Sequence, residues 1–137
     1  LVAEANGTLL GYAYAGVFKS RAAYDWAVET TIYLREGVSG RGIGRKLYEA
    51  LERALAAQGI RNLNACIAVP GENDPYLTDG SPCFHEHMGY SLVGRFHQCG
   101  YKFDRWYDMI WMEKAIGDHP AHPAPVIPFS QIQFSEQ

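Results

Sequence analysis

The sequence predicts an α/β (α+β) domain, and three features predict it. An Asn6-Gly7 pair separates two apolar runs; the apolar period changes from two to helical and back across residues 26–69; and two more strand-like runs precede a proline-rich end. At 137 residues, 47% of them hydrophobic, the chain can build one domain with a real core and is too short for two.

Asn6-Gly7 favours a tight turn with positive φ at both central residues, so residues 1–5 and 8–18 are expected to pair antiparallel. Within the second run Leu10, Tyr12, Tyr14 and Phe18 alternate with smaller residues, which reads as a half-buried strand. A polar link, 19–25, leads to a strand at 26–34. One face of that strand carries Trp26, Val28, Thr30, Ile32 and Leu34, and the other Ala27, Glu29, Thr31 and Tyr33. Ile43, Leu47, Ala50, Leu51, Ala54 and Leu55 then recur at helical spacing until Gly59 supplies a stop. Period two returns with Leu63, Ala65, Ile67 and Val69, completing a strand-helix-strand crossover. A loop rich in turn formers leads to a short helix at 81–88, ended by Gly89. Strands at about 90–98 and 106–114 follow, with Trp106, Tyr107 and Trp111 read as core. Pro120, Pro123, Pro125 and Pro128 make residues 115–137 an extended strap, set apart from a 1–114 domain. The chain opens at Leu1, without Met, already inside a strand-like run.

The formal net charge of -3 gives no reason to expect nucleic acid or an acidic membrane surface as a partner. Cys66, Cys83 and Cys99 lie far apart with no C-x-x-C, which argues against both a disulfide framework and a zinc knuckle. No run approaches the roughly 20 apolar residues of a membrane span, and no leader pattern opens the chain. A cytoplasmic protein is expected.

The most informative stretch is Val38-Ser39-Gly40-Arg41-Gly42-Ile43-Gly44-Arg45-Lys46, which joins a strand to a helix. A helix N-terminus offers backbone N–H groups and partial positive charge, and glycines let a phosphate approach the main chain. The spacing G-x-G-x-G fails the dinucleotide fingerprint, and Arg45-Lys46 with no following Ser or Thr fails the P-loop. His85-Glu86-His87 is a poor metal site, because residues two apart point to different helix faces, and H-E-x-x-H is absent. No metal is expected.

Five segments stand in order: Arg21-x-x-Tyr24-Asp25-Trp26-x-x-Glu29-x-x-Ile32-Tyr33-Leu34; the glycine loop; Asn73-Asp74-Pro75; His85-Glu86-x-x-Gly89-Tyr90; and Gly100-Tyr101-Lys102-Phe103-x-x-Trp106-x-Asp108. With them the chain resembles the phosphinothricin acetyltransferase branch of the GNAT superfamily. The resemblance implies a GNAT-type mixed, mostly antiparallel sheet with a central strand-loop-helix coenzyme A site. It also implies a further strand and a pair of helices ahead of Leu1, so the fold is expected to be incomplete at its N-terminus.

By the same resemblance the activity is acetyl transfer from acetyl-CoA to a small amine, with phosphinothricin or methionine sulfoximine as the acceptor type. An alkylammonium titrates near pH 10.4, so a general base is needed at pH 7. Glu29 takes that place in the motif, the alternative being a strand carboxylate paired with a cation. His85 stands where many superfamily members place a tyrosine that protonates the departing thiolate, the alternative being a packed or surface histidine. Backbone groups of Ile32, Tyr33 and Leu34 are implied partners of the carbonyl and pantetheine arm. Gly40, Arg41, Gly42, Ile43, Gly44 and Arg45 are implied partners of the pyrophosphate; Ser39, where Gln or Arg is usual, leaves a backbone cradle. Asn73 and Ser81 are candidates for the arm, or else a turn residue and a helix N-cap. Arg21 and Tyr24 are candidates for a carboxylate of the acceptor, or else solvated loop residues. A homodimer is expected, and two other readings stand beside this one: a non-catalytic coenzyme A-binding or interaction module, and subunits that complete each other's pocket.

Overall fold

A computed structural model describes residues 1–5, 7–38, 42–78 and 80–132. Its strands are β1 (Val2–Ala5), β2 (Thr8–Val17), β3 (Ala27–Leu34), β4 (Asn62–Val69), β5 (Ser91–Lys102) and β6 (Arg105–Ala115); its helices are α1 (Ile43–Gln58) and α2 (Gly80–His87). Single 3₁₀ turns occupy Ala22–Tyr24, inside the polar link, and Phe129–Gln131. The chain forms two compact units, residues 1–63 with 115–137, and residues 64–114.

In the first unit β1, β2 and β3 lie side by side, each pair antiparallel. Ala5 stands opposite Thr8 across the hairpin, and Gly7 has φ 78°, a value glycine adopts without penalty. Asn6 lies outside the described residues. Helix α1 packs on this sheet through Gly44, Leu47, Tyr48, Leu51, Ala54 and Leu55, and Gly59 ends it in the left-handed region. Ile43 and Ala50, expected on that face, are only half-buried, while Tyr48 was not foreseen there and is 1% exposed.

The expected orientation of β2 is corrected. Its buried residues are Gly11 and Ala13, whereas Tyr12 and Tyr14 are exposed. A helix laid across a sheet needs close approach, and the small side chains permit it. Thr30 of β3 points the same way, buried and hydrogen-bonded to the Tyr48 side chain, and burial pushes the Tyr48 phenol up to about 12.

The proline-rich segment runs along this unit. Ile127 N–H donates to the Gln58 carbonyl at 2.9 Å, Gln58 Nε2 donates to the Ile127 carbonyl at 3.0 Å, and Trp26 Nε1 donates to the Ala124 carbonyl at 2.9 Å. The last carbonyls of α1 are thereby satisfied by the strap as well as by Gly59.

In the second unit β6 lies between β4 and β5. Its core holds Ala65, Ile67, His85, Met88, Tyr90, Tyr107, Ile110 and Met112. Gly89, at φ 95°, stops α2, and Lys114 Nζ donates to the Met88 carbonyl at 2.7 Å. The last two strands are longer than expected, because the turn falls at Phe103-Asp104, both with positive φ (52° and 57°). The Phe103 ring stacks on Tyr76 at 4.7 Å, which helps hold a conformation that non-glycine residues rarely adopt. A bulge interrupts β5 between Phe96 and Gly100; there Asp108 accepts from the Gln98 N–H and from Arg95 Nε, both at 2.7 Å. Trp106, expected in the core, is 61% exposed, and Tyr107 is buried as expected.

Candidate active site

Glu29 lies in the middle of β3, half-buried. Strand alternation turns it away from α1, since its neighbour Thr30 bonds Tyr48 of that helix. The cross-strand partner of Glu29 is Gly16, that of Thr31 is Tyr14, and that of Tyr33 is Tyr12. Glu29, Thr31 and Tyr33 therefore share one face with Gly16, Tyr14 and Tyr12. Tyr12 and Tyr33 are 5.3 Å apart between ring centroids. No ion pair to Glu29 occurs among the described residues, so the paired-carboxylate alternative has no partner there. Ile32 and Leu34 are half-buried, and the Tyr33 side chain is exposed.

Arg21 and Tyr24 sit on the link that leaves β2 just beyond the Gly16–Glu29 rung. The Arg21 carbonyl accepts the Tyr24 N–H at 3.0 Å and the Arg21 side chain is exposed. The Tyr24 ring meets Phe18 edge-on at 6.4 Å. Tyr24 also lines an open groove of about 620 Å³ with Ala13, Gly16, Leu51, Val126 and Phe129; Glu29 does not line it.

Of the proposed pyrophosphate partners, Gly40 and Arg41 lie outside the described residues. Gly42, at φ 76°, is the N-cap of α1, a left-handed position suited to glycine, and no side chain bonds the cap. Ile43 is half-buried, Gly44 is buried, and Arg45 is exposed, 3.9 Å from Glu49 one turn on. The first turn of α1 carries no acidic residue. An anion there would meet the positive end of the helix dipole with no carboxylate in that turn to compete. These residues fit a phosphate group.

The second unit carries the other candidates. Asn73 is an exposed turn residue with φ 56°, and Asp74 Oδ1 accepts from the Tyr76 and Leu77 N–H groups. Ser81 is exposed within the first turn of α2. Since α2 begins at Gly80, Ser81 is not its N-cap, and that alternative is corrected; Gly80 N–H is instead met by Thr78 Oγ1 at 3.3 Å. His85 is 3% exposed. Its Nδ1 lies 2.8 Å from the Ser81 carbonyl, and its ring meets Phe84 and Tyr90 edge-on at 5.5 and 5.0 Å. Burial pulls the His85 imidazole below its ordinary range, and the Ser81 carbonyl opposes this in part. Phe84 and Tyr90 were not foreseen; the only signal was Gly89-Tyr90 within the motif. His87 is exposed, as its place two residues from His85 implies. No group of three or more potential metal ligands exists among the described residues, and no helix is long and apolar enough to cross a membrane.

The sequence profile described as an acetyltransferase (GNAT) domain matches residues 1–111. A phosphinothricin N-acetyltransferase from Streptomyces viridochromogenes is 40% identical over 132 residues, taking in 96% of this chain and 68% of its own length. An L-methionine sulfoximine/L-methionine sulfone acetyltransferase from Salmonella typhimurium is 29% identical over 131 residues, 90% of this chain and 68% of its own. Among solved structures, a GNAT superfamily phosphinothricin acetyltransferase from Sinorhizobium meliloti in complex with acetyl-CoA superposes with a TM-score of 0.76 at 32% identity, covering 93% of this chain and 66% of that one. Across such curated relatives the chain spans between 53% and 68% of their length. The strand order in each unit, the glycine-capped α1 and the match over residues 1–111 agree: the chain belongs to the GNAT acetyltransferase family.

Proposed function

We propose that this chain is an N-acetyltransferase moving an acetyl group from acetyl-CoA to the amine of a small amino-acid-like substrate of the phosphinothricin or methionine sulfoximine type. The observation that carries the reading is Glu29, a half-buried carboxylate turned away from α1 on the strand that feeds the glycine-capped start of that helix.

The transfer breaks the thioester C–S bond and forms an amide C–N bond; the amine gives up a proton and the leaving thiolate takes one. Glu29 accepts the proton of the incoming ammonium, directly or through one water. Gly40 through Arg45 hold the pyrophosphate, and backbone groups of Ile32, Tyr33 and Leu34 hold the arm and the carbonyl, with Asn73 and Ser81 also offered to the arm. Arg21 and Tyr24 hold the acceptor's carboxylate from the link. His85 donates Nδ1–H to the Ser81 carbonyl, which makes Nε2 the ring's acceptor nitrogen, so His85 enters as a neutral base that can relay a proton toward the thiolate.

The exposed apolar side chains of β5 and β6, among them Leu92, Val93, Phe96 and Trp106, support a homodimer. The thiols of Cys66, Cys83 and Cys99, outside any disulfide, support the cytoplasm. The test of the function is thiol release from acetyl-CoA with a panel of amino-acid-like amines, methionine sulfoximine among them. Amine-dependent release is expected; binding of acetyl-CoA with no turnover of any amine would favour a coenzyme A-binding module instead.

A further inference from the structure

Two glycines in β2 differ in the reason for their presence. At Gly11 a side chain has no room: an added Cβ would lie 2.5 Å from the Tyr33 carbonyl oxygen and 3.2 Å from Leu34 Cα. At Gly16 nothing lies within 4 Å of an added Cβ, and Gly16 is not among the glycines with positive φ. Neither packing nor backbone conformation asks for glycine there. Yet glycine in a strand costs conformational entropy and offers no side chain to pack, so a residue with a Cβ would suit the fold better. The remaining physical reason for such a glycine is close approach by something else.

What approaches is set by the register. Gly16 is the direct cross-strand partner of Glu29, so both project from the same face, the one turned away from α1. Tyr14, two residues along on that face and opposite Thr31, bounds the space on one side. The Val17–Val28 rung and then the link with Arg21 bound the other end.

We propose that Gly16 is a specificity-determining residue: its missing side chain keeps open, beside the Glu29 carboxylate and against Tyr14, the place taken by the primary amine of the acceptor and its α-carbon. This rests on Glu29 acting as the base. A side chain at position 16 would stand where the amine must come to hand over its proton, while leaving α1 and its N-terminus untouched. The effect should therefore fall on the acceptor and not on acetyl-CoA.

The experiment compares the wild type with Gly16→Ala and Gly16→Leu, using acetyl-CoA and L-methionine sulfoximine. The proposal expects acceptor KM to rise with side-chain size, by roughly tenfold or more for Gly16→Leu, since a pocket resolves single methylenes by about that factor. Acetyl-CoA KM should stay within about twofold, and the melting temperature should be unchanged or higher. Acceptor KM within about twofold of wild type in Gly16→Leu would overturn it, and so would a matching rise in acetyl-CoA KM. Calorimetric titration of methionine sulfoximine into protein saturated with coenzyme A separates this from the proposed function. Heat seen in the wild type and lost in Gly16→Leu supports the open place even without turnover. Equal heats, or none in either, count against it. Full activity of Glu29→Gln beside a defective Gly16→Leu would sink the base and keep the site.

Discussion

The imidazole Nδ1 of His85 lies 2.8 Å from the carbonyl oxygen of Ser81, one turn back in α2. A carbonyl accepts only, so Nδ1 carries the proton and the tautomer is set by the helix itself. The side chain is buried against Phe84 and Tyr90, and burial favours its neutral form.

Stability should depend on pH through this group. Its folded pKa lies below the ordinary 6.5, so at acid pH the unfolded chain binds a proton that the folded chain resists. The contribution is present above 6.5 and is lost as pH falls from there through the lowered folded value. Urea midpoints measured between about pH 7.5 and pH 5 should decline, and His85→Gln should decline less. Parallel slopes would show that His85 does not carry the effect.

Gly11→Ala should destabilise by about 1–3 kcal/mol, because the new Cβ meets the Tyr33 carbonyl oxygen and Leu34 Cα as well as the Leu34 side chain, and the backbone atoms cannot turn away. Gly16→Ala, with open space around it, should fall within about 0.5 kcal/mol of wild type. Equal costs at the two positions, read from denaturant midpoints, would mean that the close approach at Gly11 is not felt.

The strap should be held mainly at its contacts with α1 and the start of β3. Gln58→Ala removes the Nε2 bond to the Ile127 carbonyl and Trp26→Phe removes the indole bond to the Ala124 carbonyl. Each should cost about 0.5–1.5 kcal/mol. Limited proteolysis reads the result locally: cleavage within residues 120–132 should quicken in both variants before the rest of the chain is cut. Unchanged cleavage would show the strap held by other contacts.

How much of this was legible depended on where the information sits. The hairpin at Gly7, the course of α1 to Gly59 and the β4 face of Leu63, Ala65 and Ile67 follow from turn chemistry and period, which are local. Period two also divides β2 correctly into two faces. It cannot say which face is buried, and bulk pointed to Tyr12 and Tyr14 when the face toward α1 carries Gly11 and Ala13. The Phe103-Asp104 turn and the Gln98 bulge use positive φ at non-glycine residues, supported by Tyr76 and by Asp108, partners distant in sequence. The side of β3 on which Glu29 stands was readable from alternation. The tautomer of His85 was not, because it depends on a side-chain rotamer within α2.

Whether Glu29 takes the proton from the acceptor amine is read from kcat of Glu29→Gln, with acetyl-CoA affinity measured on the same sample. Gln keeps the shape and removes the base. A fall in kcat of about 10²- to 10⁴-fold is expected at neutral pH with acetyl-CoA affinity unchanged, and partial recovery at alkaline pH, where more of the amine is already neutral. Wild-type kcat in Glu29→Gln at neutral pH would contradict it.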